Sequence, residues 1–382
     1  MTQTLQTLEQ LIGFDTVSAK SNLQIVDFIE DFLRGRGFRL TRITDDGGQK
    51  AGLYAEIGPA EGGILLSGHT DVVPVDGQEW TRDPFRMTDE GERVFGRGTT
   101  DMKGYLACML TAADRASKLE LRETLKLVFS YDEEIGCVGI QKMAAQLSPL
   151  MGKPRACLVG EPTEMQVAIG HKGKAALKAI CHGQSGHSAL APTFVNALHL
   201  AADFVVELKG VQDWLREHGA RDEAYDIAYS TVHVGKLSGG TALNIVPDRA
   251  ELVFEYRHLA AEPSDGILEK IRQAAKRVAD RYREAYADAS IELDRYNAYP
   301  GIDVPADTGI VELGQRLAAT NAITKVAFGT EAGVFDTLGI PTVVCGPGSM
   351  EGQGHKPDEF ISKEQLTACD QMMDRVLDDI TI

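Results

Sequence analysis

GILLSGHTD, residues 63–71, is a short apolar run that ends in a histidine, a threonine and an aspartate. It is too short for an independent helix and its apolar residues do not alternate with polar ones. It therefore reads as a strand covered on both faces, the kind that fills the middle of a parallel sheet. Three further runs have the same character: LYAEI at 53–57, TLKLVFSY at 124–131 and ACLVGE at 156–161. Between GILLSGH and ACLVGE lie helical patterns near 102–117 and 138–147. Upstream, Leu5, Leu8, Leu11 and Ile12 mark one helix face, and Ile25, Val26, Ile29, Phe32 and Leu33 mark a second, stopped by Gly35 and Gly37. Strands alternating with helices predict an α/β fold with a mostly parallel, doubly covered sheet.

The rhythm changes after Gly170. KAALKAICHG (174–183) and RAELVFEYRH (249–258) alternate apolar and polar residues, as antiparallel strands with one solvated face do. Long amphipathic helices are expected near 195–209 and 264–287. The α/β rhythm returns with a helix near 307–319, the strand PTVVCG (341–346) and a last helix near 363–379. The expected organisation is a discontinuous α/β domain, 1–171 and 298–382, carrying an inserted α+β domain at 172–297. No internal repeat or low-complexity tract is present.

Ligands of open α/β sheets sit beyond the carboxyl ends of the strands. There GILLSG delivers His69 and Asp71, LKLVFSY delivers Asp132, Glu133 and Glu134, and ACLVG delivers Glu161. Asp101 lies in a glycine-rich loop, GRGTTDMKG (96–104), and His355 in GHKPDEF (354–360). Two histidines and three carboxylates suit a pair of divalent ions, zinc first, with cobalt or manganese as alternatives. A carboxylate such as Asp101 can bridge two ions. Asp71, two residues past His69, is placed to support that imidazole. Adjacent Glu133 and Glu134 are costly together unless a cation or a shared proton relieves them, so one is expected as a ligand and the other as a general base. Singly each feature has an ordinary reading: a solvated acidic turn, or an N-capping aspartate. Their conjunction at three strand ends, one loop and one late histidine argues for a site.

Composition narrows the alternatives. Apolar residues make up 43% and charged residues 25%, the balance of a globular protein. With Lys+Arg 39 against Asp+Glu 56, the net charge is −17, which repels nucleic acid and anionic membranes. No apolar stretch approaches the ~20 residues of a membrane span. The first residues lack the pattern of a secretory signal, and the six scattered cysteines form no CxxC, so reduced thiols in a cytoplasmic protein are expected. GQSGHS (183–188) is not a nucleophile elbow, and neither phosphate-binding glycine motif occurs.

SGHTDVVP (67–74), GRGTTDMKG (96–104), DEEIGCVG (132–139), GEPT (160–163) and GHKPDEF (354–360), in this order, resemble the dinuclear zinc metallopeptidase clan of the acetylornithine deacetylases. Aminoacylase, carboxypeptidase G and succinyl-diaminopimelate desuccinylase are its relatives. The resemblance covers essentially the whole chain. It implies a zinc-peptidase-like α/β domain, a doubly covered mixed sheet, with an inserted dimerisation or lid domain. It implies one ion on His69 and Glu161, another on Glu134 and His355, and Asp101 between them. Glu133 matches the catalytic base and Asp71 the histidine-supporting carboxylate. His187 in GQSGHSA matches a histidine that reaches the partner subunit's active site, and Asn244 and Arg257 match lid residues near substrate. Thr330–Glu331 stands where the desuccinylases carry serine–aspartate, so within the clan the deacetylases are the better match. The implied reaction is hydrolysis of an N-acyl amide, N2-acetyl-L-ornithine first. Succinyl-diaminopimelate, acetylcitrulline and dipeptides are alternative substrates, and a non-catalytic binding protein is the alternative of another class. Arg257 is the expected anchor of the substrate carboxylate and Glu331 that of its cationic end, against a plain helix-start role for Glu331. A homodimer through the inserted domain is expected, with no nucleic acid and no membrane as partner.

Overall fold

In a computed structural model, which describes residues 1–59 and 62–382, the chain forms two compact units, Met1–His171 with Ile302–Ile382, and Lys172–Gly301. The first unit is built on a nine-stranded sheet. Its strands run in the order Arg39–Thr44, Ala51–Ile57, Leu125–Ser130, Ile64–His69, Ala156–Val159, Thr342–Val344, Val167–His171 and Ile302–Asp303, with Ile323–Val326 also pairing with Val167–His171. The four strands from Leu125–Ser130 to Thr342–Val344 are mutually parallel and buried along their whole length. These are the unbroken apolar runs of the sequence, and burial of successive residues requires cover on both faces. Outside them antiparallel pairing takes over, from Leu125–Ser130 through Ala51–Ile57 to Arg39–Thr44, and from Val167–His171 to Ile302–Asp303. The sheet is thus mixed: four parallel strands fill its centre, antiparallel pairs flank them, and one further parallel pair, Ile323–Val326 with Val167–His171, lies outside the central four.

The helix Gly104–Ala116 is buried at every position but Arg115 and packs against Gln3–Ile12 and Lys363–Ile380. Its Tyr105 ring occupies the space where a Cβ at residue 160 would lie, 2.0 Å away, so the strand end before Glu161 accepts only glycine. A three-stranded sheet of Thr88–Glu90, Arg93–Phe95 and Phe360–Ser362 pairs Phe360 with Phe95. This ladder brings the loop that follows Phe95 beside the loop that precedes Phe360.

The second unit is a four-stranded antiparallel sheet in the order Thr231–Gly239, Arg249–His258, Gly173–His182, Ser290–Tyr299. Alternate residues of Gly173–His182 and Arg249–His258 point into a core made with two helices. Ala197–His218 contributes Phe204, Leu208, Val211 and Leu215; Ser264–Arg283 contributes Ile267, Leu268, Ile271 and Val278. The first of these helices runs nine residues past the expected 209, because Val211 and Leu215 continue its apolar stripe through Gly210. The chain leaves this unit at Gly301, four residues later than the sequence pattern suggests, since the edge strand pairs up to Tyr299. Among the described residues, no helix is long and apolar enough to cross a membrane.

Candidate metal centre

His69 is the last residue of Ile64–His69 and lies opposite Ser130 of the parallel neighbour, after which Glu133 and Glu134 follow. On the other side Ser67 lies opposite Val159, two residues before Glu161. Three adjacent parallel strands therefore present one imidazole and three carboxylates at one edge. Asp101 comes from the loop after Arg93–Phe95 and His355 from the loop before Phe360–Ser362, which the small sheet holds together. The loop turns at Gly98, whose φ of 85° is unfavourable for a residue with a Cβ.

Asp101 faces both histidines, one with each oxygen. Oδ1 lies 3.0 Å from His69 Nε2 and Oδ2 lies 3.1 Å from His355 Nε2. Glu161 Oε1 is 3.7 Å from His69 Nε2, and Glu134 Oε2 is 3.0 Å from His355 Nε2. Two donor sets result: His69, Glu161 and one oxygen of Asp101; His355, Glu134 and the other. The side chains of His69, Asp101, Glu134 and Glu161 are at most 8% exposed, whereas that of His355 is 44% exposed and marks the open side.

The electrostatics are those of a site that wants cations. Burial pushes the carboxyls of Glu133 and Glu161 well above the usual range, and that of Glu134 up to about 7, with mutual repulsion adding to each. The His355 imidazole is driven the other way: burial opposes its charge, but Asp101 and Glu134 outweigh that and raise it to about 10. His69 is raised likewise against burial, chiefly by Asp101 and Asp71. Among the described residues, the ion pairs of Asp101, Glu134 and Glu161 are all to these two histidines. Oε1 of Glu134 and of Glu161 are buried without a hydrogen-bond partner. Unpartnered buried carboxylate oxygens beside paired imidazoles are the donor chemistry of divalent metal sites, so these residues fit such ions. Clusters His69–Asp101–Glu134 and His69–Glu133–Glu161 both have ligand atoms within 4.8 Å of one another.

Asp71 holds the site differently from the simple imidazole–carboxylate contact. His69 Nδ1 lies 2.9 Å from the Asp71 backbone carbonyl, with Oδ1 of the carboxylate at 3.5 Å. The carboxylate accepts the backbone N–H groups of Glu133 and Glu134, at 3.0 and 3.3 Å, and the hydroxyl of Ser18 at 2.6 Å. It thereby ties the acidic turn to the His69 strand. Glu133 in turn accepts the Cys137 thiol at 3.1 Å.

Of the other expected residues, Glu331 is buried near this edge. Its Oε2 accepts from Ser67 Oγ at 3.3 Å, its Oε1 is unpartnered, and burial raises it to about 7. Thr330, also buried, accepts the backbone N–H of Ala332. His187, Asn244 and Arg257 belong to the second unit. His187 is exposed, pairs in a two-residue ladder with Ile245, and accepts the N–H of Ala189; Asn244 is exposed beside it. Arg257 Nε donates to Glu255 at 3.0 Å. Ser18, Arg97, Cys137 and Glu359 also support the site, and sequence reasoning does not find them. Arg97 and Glu359 lie inside quoted motifs, but nothing local distinguishes them from surface charges.

The sequence pattern of Peptidase family M20/M25/M40 matches residues 65–379. The chain belongs to this family. Among curated relatives, the acetylornithine deacetylase of Myxococcus xanthus is 32% identical over 97% of this chain and 96% of its own length. That of Klebsiella pneumoniae is 30% identical over 96% and 95%. Among solved structures, a metallo-carboxypeptidase of the family from Sulfolobus solfataricus superposes with a TM-score of 0.80 at 22% identity, covering 99% of both chains. The YXEP protein of Bacillus subtilis, described as a dinuclear metal-binding peptidase, gives 0.68 at 18% identity, covering 99% of this chain and 98% of that one. At these identities the structures show the family fold.

Proposed function

We propose that the protein hydrolyses the N-acetyl amide of N2-acetyl-L-ornithine to L-ornithine and acetate, a step toward arginine, with two divalent ions as cofactors. The observation that carries the hydrolytic reading is Asp101, whose two oxygens face two separate histidine–glutamate sets. Full-length relatives named for this deacetylation support the substrate. His69 and Glu161 would hold one ion, Glu134 and His355 the other, and Asp101 both. Zinc suits the nitrogen and oxygen donors best, with cobalt or manganese acceptable. When bound, such ions make water more acidic and polarise a carbonyl oxygen.

The chain's own residues supply the rest. Glu133 takes a proton from the attacking water and delivers it to the departing amine nitrogen. Asp71 fixes the backbone of Glu133 and Glu134 through their N–H groups. Glu331, with an unpartnered buried oxygen, serves the cationic end of ornithine, and Thr330 holds the turn that presents it. Arg257 would take the substrate carboxylate, and Asn244, beside His187, would contact substrate from the lid. The second unit is the dimerisation and lid domain. Its exposed Leu190, Leu243 and Ile245, in and beside the His187 ladder, support a second copy as its partner. His187 would then donate to the developing oxyanion in the partner subunit's site.

A hydrolysis panel on metal-reconstituted protein tests the substrate. Acetylornithine should be turned over faster than succinyl-diaminopimelate, acetylcitrulline or dipeptides, and binding without turnover of any would refute the enzyme reading. Mixing inactive His187→Ala and Glu133→Gln subunits tests the role in trans. Activity returning to one intact site per mixed dimer supports it, and a dead mixture with exchange verified refutes it. A fully active monomer by sedimentation removes the dimer.

A further inference from the structure

Arg97 and Glu359 form an ion pair that is fully buried, in the loops that carry Asp101 and His355. Arg97 Nη1 donates to Glu359 Oε2 at 2.7 Å, and neither side chain is more than 1% exposed. The contacts around the pair are unusually directed. Glu359 Oε2 also accepts the backbone N–H of Gly98 at 3.0 Å, and Oε1 accepts those of Thr100 at 2.9 Å and Asp101 at 3.1 Å. One carboxylate thus takes three loop amides, the last being that of Asp101 itself. Arg97 spreads in the other direction. Nη1 reaches the Lys356 carbonyl at 3.3 Å, next to His355, and Nη2 reaches the Pro74 carbonyl at 3.4 Å and the side chain of Gln78. Gln78 in turn donates to the carbonyl of His355 at 3.0 Å.

We infer that Glu359 and Arg97 are positioning residues of the metal centre: they fix Asp101 and His355 relative to each other, so that both oxygens of Asp101 face a histidine. Three points favour this over a merely structural pair. All the bonds of the Glu359 carboxylate end on the loop at 97–101, and those of Arg97 reach the His355 loop directly at Lys356 and indirectly through Gln78, which bonds the His355 carbonyl. Charge-assisted bonds from several amides to one carboxylate give a loop a single conformation. The His355 loop has no strand or helix of its own until Phe360, so nothing in its secondary structure would hold it.

The inference rests on the dinuclear reading of the site, and its test separates the two. Zinc stoichiometry and affinity are measured by equilibrium dialysis and chelator competition, with melting of the metal-free proteins recorded alongside. Glu359→Gln keeps the volume but turns an amide N–H toward donors. It should fold, lose about 10–100-fold in metal affinity, and lose kcat with little change in KM. Arg97→Lys keeps the charge but gives up the fork, and the same direction of loss is expected. Asp114→Asn, which breaks a pair with Arg36 at the far end of the helix Gly104–Ala116 from Asp101, should lower melting and leave zinc affinity unchanged. Wild-type protein that binds fewer than two ions defeats the dinuclear reading. Two ions in the wild type, with unaltered affinity in Glu359→Gln, defeat this inference alone. So does a loss of affinity that follows melting as closely in Asp114→Asn. Should Glu359→Gln not fold, unaltered affinity in Arg97→Lys is enough to overturn it.

Discussion

The two units handle charge in opposite ways. At the strand edge of the first, Asp71, Asp101, Glu133, Glu134 and Glu161 crowd around two imidazoles with little access to water. In the second, the carboxylates stay at the surface and meet basic partners: Glu255 with Lys174, Glu251 with Lys178, Glu207 with Arg277 and Arg281. Its interior is aliphatic and aromatic. Burying like charges together costs several kcal/mol per ion unless something compensates. The second unit avoids that cost, while the first concentrates it at one place. Stability alone gives no reason to build such an edge, and a pair of divalent ions does.

The sharpest way to break the contrast is to remove the ions. Chelation should abolish turnover, by on the order of 10⁴-fold or more, since the polarised carbonyl and the acidic water are both lost. It should also loosen the first unit. A ligand present at a thousand times its Kd stabilises the state that binds it by about 4 kcal/mol. Hydrogen exchange should therefore rise around Leu127 and Leu66 and stay unchanged around Phe254. Equal loosening of both units would mean that the ions are not confined to the strand edge.

Glu133→Gln removes one of the crowded carboxylates without removing a proposed ligand. Turnover should fall roughly 10²–10⁴-fold, the contribution of a positioned proton shuttle. Both ions should remain by elemental analysis. Loss of an ion would place Glu133 among the ligands, as its proximity to His69 and Glu161 permits, and would reverse the division between Glu133 and Glu134.

The same contrast explains what the sequence discloses. Strand ends are legible because an unbroken apolar run stops at a charge: His69, Glu133, Glu134 and Glu161 are each one to three residues past such a run. Asp101 is legible through its glycine-rich loop. His355 follows no strand, and its motif carries weight only beside the others. Arg97 and Glu359 are illegible for a physical reason: their significance lies in bonds spanning more than 250 residues, and nothing in their local pattern separates them from solvated charges. The edge strand Thr231–Gly239 escapes sequence reading because it is exposed along most of its length, which erases the alternation that reveals Gly173–His182 and Arg249–His258. Site chemistry carried by strand ends is thus more readable than the loop contacts that hold it in place.

A core substitution in the second unit sharpens the contrast from the other side. Phe204 is fully buried and meets Phe254 edge to face, with ring centroids 5.8 Å apart. Phe204→Ala should cost about 3–5 kcal/mol of stability, read from denaturant unfolding followed in that unit. Zinc stoichiometry should be unchanged. Loss of metal would show the two units to be energetically inseparable.

The smallest effect concerns the surface charges of the second unit. Glu207 meets Arg277 at 2.8 Å and Arg281 at 3.2 Å, and both arginines are about half exposed. The hydrogen bond from Arg277 is the main cause of a Glu207 carboxyl below its ordinary value; burial opposes the shift, and Arg281 adds to it. Because the folded pKa is depressed, the charged pair contributes stability above the pKa of the unfolded chain. That contribution is lost as pH falls through the lower folded value. Solvent screens the partners, so Glu207→Gln should cost about 0.2–1 kcal/mol at neutral pH. The difference between wild type and variant should shrink in high salt and vanish below the folded pKa of Glu207. Urea unfolding in a pH series from 7 down through the acid range, with and without salt, measures both trends. A cost of several kcal/mol, or one that persists in acid, would mean that Glu207 depends on buried contacts as heavily as the carboxylates of the metal edge do, and the contrast between the two units would fail at that point.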